Sequence, residues 1–100
     1  MATTVFDGRQ LTAARALAEL SMLELAEVAN VTGRTIHRLE IGGAVHVAAK
    51  KRHGHVSRCV WNRILEALAR RGVELVPEGE DHGSGARWID PRARRMQGTP

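Results

Sequence analysis

With 100 residues, the chain reads as one domain that buries about 65% of its unfolded surface, enough for a modest core and too little for a deep catalytic cleft. Fifteen lysines and arginines against eleven acidic residues leave a net charge of +4, which favours a polyanionic partner, most simply nucleic acid. A single cysteine excludes an internal disulfide, and no charged leader or membrane-spanning apolar run is seen, so no membrane partner and a cytoplasmic setting are expected.

Residues 1–7 read as a flexible N-terminus. Asp7, three before Gln10, predicts a capped helix to about Leu20, with Leu11, Ala14, Leu17 and Ala18 inward and Arg9 and Arg15 in water. Ser21 and Glu24 form the spacing of a second capping box. Behind it Leu25, Ala26 and Ala29 recur on one helical face, and the pattern breaks at Asn30, which tolerates the left-handed backbone of a tight turn. Thr32 caps the next helix, over 32–40, where Ile36 and Leu39 make a narrow inward stripe. Arg34, Thr35, His37 and Arg38 are left on other faces.

Gly42 and Gly43 stop that helix and open a basic loop, 41–56. No acid occurs between Glu40 and Glu66, while Lys50, Lys51, Arg52, Arg58 and Arg63 are positive and His46, His53 and His55 can add charge. Val45, Val47 and Val56 around the basic tip predict a short hairpin or wing. Ser57 caps a helix to about Arg71, with Val60, Trp61, Ile64, Leu65 and Leu68 at the helical period and Gly72 as its stop. An aromatic among aliphatics at that spacing makes Trp61 a core residue rather than a base-stacking one. A C-terminal hairpin, 73–90, follows: Val73 to Pro77, a turn-rich loop, and a return strand from Ala86 to Ile89. An isolated hairpin is marginal in water, so Leu75, Trp88 and Ile89 are expected to pack on the last helix or on a second subunit. Residues 91–100, with Arg92, Arg94 and Arg95, read as a disordered basic tail. The fold expected is mainly α: four to five short helices with a helix-turn-helix, plus the small C-terminal β-hairpin, in a single domain over 8–90.

Catalytic and metal chemistry find little support. His53, His55 and Cys59 offer three donors where structural zinc takes four at other spacings, and Cys59 on an amphipathic helix reads as small and at least half-buried, not as a nucleophile. Nucleotide-cradling glycine loops are missing. The chain is therefore expected to be no enzyme and to carry no metal or cofactor.

The run LAEVANVTGRTIHRLE resembles the lambda-repressor-like, or Cro/XRE, helix-turn-helix family of small bacterial and phage regulators. Ala26 in the first helix, Val31 in the turn, the Ile36 and Leu39 pair and the closing Glu40 fall where that family has them, over about a third of the chain. The resemblance implies that helix 32–40 reads DNA, with base contacts from Gly33, Arg34 and Arg38 and backbone contacts from Thr32 and Thr35. His37 and the strip at Lys50, Lys51 and Arg52 add backbone contacts, which set affinity without reading sequence. Two departures stand out. Met22 and Leu23 occupy the place of a glutamine that touches the DNA backbone in the family, and Gly33 brings no side chain, so readout falls to the two arginines.

The expected function is a sequence-specific, repressor-like transcriptional regulator that binds double-stranded DNA as a homodimer, since one recognition helix per chain reads one half-site. The alternative is a helix-turn-helix protein-interaction module such as an antitoxin or antiactivator, motivated by Met22 and Leu23 as an apolar partner surface.

Overall fold

A computed structural model describes residues 5–50, 55–78, 80, 81 and 83–90. Four helices carry the local signals of the sequence closely. In α1 (Gly8–Leu17) the Asp7 carboxylate accepts from Arg9 N at 2.8 Å, and Gln10 Oε1 accepts from Asp7 N at 2.8 Å, closing the capping box. The helix stops short of Leu20, because Glu19 turns left-handed at φ 57°. In α2 (Met22–Ala29) Ser21 and Glu24 cap each other at 2.9 and 3.0 Å. Thr32 caps α3 (Gly33–Ile41), and Ser57 caps α4 (Arg58–Arg70).

Strands are more numerous than expected, so the fold is mixed α/β rather than mainly α. Residues 5–7, expected to be flexible, form β1 (Val5–Asp7), which pairs antiparallel with β2 (Ala44–Ala48), Phe6 facing Val45. β2 also pairs with β3 (Val56–Ser57), giving a three-stranded sheet in the order β1-β2-β3. Residues 44–48 and 56 of the 41–56 segment are thus strand rather than loop. The β2–β3 pair is parallel, with Val47 opposite Val56, so it is not the hairpin that the valines suggested. The physical cause is the alternation at Ala44 to Val47, which buries Val45 and Val47 to 4% exposure and leaves His46 in water. Once those two valines are inward, both edges of β2 are available for pairing, and β1 supplies Phe6, whose ring lies 5.0 Å from that of Trp61.

The core lies between the four helices, the three-stranded sheet and the C-terminal strand pair, where Leu11, Leu25, Ile36, Ile64, Leu68 and Val73 are fully buried. Trp61 is buried with them, as its spacing predicts. The C-terminal hairpin is present as β4 (Val73–Val76) and β5 (Gly85–Trp88), in register from Val73 with Trp88 to Val76 with Gly85. It packs on α1 as well as on α4. Gln10 Nε2 on α1 donates to the carbonyls of Val76 at 3.0 Å and Gly85 at 3.1 Å, which ties the loop end of the hairpin to the first helix. Leu75 and Trp88 pack against the core, whereas Ile89 remains half-exposed. Ile89 lines, with Phe6, Leu65, Leu68 and Leu75, an apolar hollow of about 420 Å³. No helix among the described residues is long and apolar enough to cross a membrane.

Candidate nucleic-acid interface

Asn30 ends α2 at φ 56°, ψ 48°, the left-handed step that lets the chain reverse within two residues and reach the cap of α3 at Thr32. Val31 stays near the core, and its amide reaches back to the Ala26 carbonyl at 2.9 Å. The Thr35 amide donates to Thr32 Oγ1 at 3.2 Å, and the two hydroxyls lie 2.9 Å apart, so both threonines are engaged in the cap at the leading end of α3.

α3 is sharply two-sided. Ile36 is fully buried and Glu40 nearly so, while Arg34, His37, Arg38 and Ile41 are exposed. Those four positions follow the i, i+3, i+4, i+7 helical spacing and share one face, so α3 presents a basic stripe that ends in an apolar residue. Among the described residues nothing lies within 4 Å of where a β-carbon on Gly33 would stand, so the first turn of the helix is open to a close approach.

The far end of α3 is fastened to α1. Glu40 accepts from Arg15 Nε at 2.8 Å, from Arg15 Nη2 at 3.1 Å and from Thr12 Oγ1 at 2.9 Å, while Arg15 Nη1 donates to the Leu20 carbonyl at 3.1 Å. Arg15, expected in water, is therefore a half-buried clamp, and its hydrogen bonds to Glu40 hold its guanidinium above the ordinary range despite partial burial. Arg9 does stay in water, beside Asp7.

Of the anticipated site residues, Thr32, Gly33, Arg34, Thr35, His37 and Arg38 are brought together along α3. Lys50 is exposed just beyond β2, and Lys51 and Arg52 lie outside the described residues, as do the 91–100 tail and His53 of the suggested metal cluster. Met22 is half-buried against the core, so only Leu23, at 66% exposure, stands in water where both were anticipated. Cys59 is exposed rather than half-buried, because it falls on the outer face of α4. Arg63 has a role that its sequence position does not reveal. From α4, its Nη1 donates to the carbonyl of Asn30 at 3.4 Å, which brings a cation beside the turn between α2 and α3. Among the described residues, no three histidines, cysteines or carboxylates gather as a metal-binding group.

No protein-family model matches this chain, and neither does any curated protein sequence.

Proposed function

We propose that the protein is a sequence-specific DNA-binding transcriptional regulator of repressor-like type, with α3 as the helix that enters the major groove. The observation that carries this reading is the two-sidedness of α3: one face holds Ile36 and Glu40 in the protein, and the other offers Arg34, His37 and Arg38 with almost no acid beside them. Arginine suits this task because its planar fork can donate to two guanine acceptors at once, giving about 1–3 kcal/mol of discrimination per good pair. Gly33 allows the helix start to approach a base edge or phosphate closely, and Thr32, Thr35, His37, Lys50, Lys51 and Arg52 are assigned to the DNA backbone. Arg63, next to the turn, joins them as a candidate phosphate contact.

A homodimer is part of the proposal, since two copies reading half-sites one helical turn apart gain both affinity and specificity. The half-exposed Ile89 and the apolar hollow that it lines support pairing. Such a protein acts in the compartment that holds the DNA, here the cytoplasm.

Selection of bound sequences from a random duplex pool at about 150 mM salt tests the reading, because non-specific binding is already weakened there. A short inverted repeat is the expected product. Recovery of nothing above background would reject sequence-specific binding.

One observation favours a second reading, a protein-interaction module of antitoxin or antiactivator type: Leu23 is 66% exposed on α2, beside the proposed groove-facing helix. Leu23→Glu removes that apolar contact and leaves the core intact. If the variant still captures a partner that the native protein captures, Leu23 is not the docking residue.

A further inference from the structure

His53 of the spacing His53-His55-Cys59 lies outside the described residues, and the register of the sheet brings together a different pair, His46 and His55. Val47 lies opposite Val56 and Ala48 opposite Ser57 on parallel strands, so the preceding rung sets His46 beside His55. Side chains alternate along a strand, and Val47 points into the core at 4% exposure, so His46, on the opposite face, is exposed. Laterally adjacent residues on one face of a sheet sit about 4.8 Å apart, within reach of a common ligand. The two imidazole rings are 5.6 Å apart between centroids, with their planes inclined at 51°.

That separation suits a shared cation. Metal–nitrogen bonds of about 2.0–2.1 Å at a tetrahedral angle set two ring centroids roughly 5 Å apart, so a small side-chain adjustment suffices. Imidazole is a borderline donor that selects late first-row divalent ions over magnesium or calcium. The pair also holds the two ends of the basic segment: His46 precedes Lys50, Lys51 and Arg52, and His55 follows them.

We propose that His46 and His55 form a two-imidazole site for a late first-row divalent cation, Ni²⁺, Cu²⁺ or Zn²⁺, that staples β2 to β3. Water fills the remaining coordination positions, which makes the site open and exchangeable rather than a structural zinc site. Because the staple binds the folded register and not the unfolded chain, it raises the unfolding temperature in proportion to the logarithm of the metal concentration. The site stands independently of whether the protein binds DNA.

Calorimetric titration of the full chain with Ni²⁺ at neutral pH tests it, with thermal unfolding followed in parallel. One equivalent should bind, and His46→Ala and His55→Ala should each weaken binding at least about tenfold and remove the metal-dependent rise in Tm. His37→Ala and Cys59→Ser should bind as the native chain does. His46 lies in water, so its variant should match the native Tm without metal, and that comparison separates loss of ligand from loss of fold. Native affinity in either the His46 or the His55 variant, equal loss in Cys59→Ser, or no binding to the native chain at millimolar Ni²⁺ would overturn the proposal.

Discussion

Glu40 at the end of α3 and Arg15 in α1 form a paired clamp, with Nε 2.8 Å from one carboxylate oxygen and side-chain exposures of 19% for the arginine and 4% for the glutamate. Removing one partner strands the other in a poorly solvated place, so Arg15→Ala or Glu40→Ala should lose about 3 kcal/mol in urea unfolding. An Arg15→Met, Glu40→Leu double variant should lose much less, because no lone charge remains and apolar volume replaces the pair. Equal losses in single and double variants would show that the charges themselves, rather than their mutual satisfaction, hold α3 to α1.

Gly8 and Gly33 make opposite predictions for the same substitution. A β-carbon on Gly8 would stand 2.7 Å from the Glu40 carbonyl oxygen, a backbone atom that cannot swing aside, so Gly8→Ala should destabilise by about 1–3 kcal/mol. Gly33 has open space around it, and alanine narrows the unfolded ensemble, so Gly33→Ala should stabilise by about 0.4–1 kcal/mol. On the proposed function the same methyl group would meet DNA, and operator affinity should fall while Tm rises. A variant that gains stability and keeps its operator affinity would move the groove contact away from the start of α3.

Arg38 and Lys50 are both exposed but are assigned different tasks. Arg38→Ala should relax specificity at one base pair at a loss of about 1–3 kcal/mol on the preferred site. Lys50→Ala or Lys51→Ala should weaken all sequences alike and reduce the slope of log affinity against log salt by about one. Binding curves on the selected operator and on single-base variants, at three salt concentrations, separate the two. Uniform weakening by Arg38→Ala would remove it from the base readers.

Two caps impose a pH dependence on stability. The backbone and hydroxyl hydrogen bonds of Ser21 hold the Glu24 carboxyl below its ordinary 4.5, and the Arg9 side chain, then its backbone amide, hold Asp7 below 3.8. Both folded values are depressed, so the unfolded chain takes up protons first on acidification. The stabilisation is present above those ordinary values and is lost as pH falls through the lowered ones. Tm should therefore decline below about pH 5, and Glu24→Gln, which cannot ionise, should show a shallower decline. An unchanged slope in that variant would assign the acid sensitivity to other carboxylates.

Helices were legible in this sequence because their signals are local. A cap and its partner lie three residues apart, as Asp7 with Gln10 and Ser21 with Glu24, and the αL turn at Asn30 depends on one residue type. The basic stripe of α3 follows from the same arithmetic, since 34, 37 and 38 must share a face once 36 and 40 are inward. Strand pairing was not legible. Nothing near Phe6 indicates that it will face Val45, nearly forty positions away in the chain, or that Val56 will run parallel to Val47. Those choices are made by the core, which needs Phe6 against Trp61 and both valines inward, and they also decide that Gln10 closes the hairpin and that Arg15 leaves water for Glu40. Period and capping are written in adjacent residues, whereas a ladder or a buried ion pair depends on which distant segments the burial of apolar surface has already brought together.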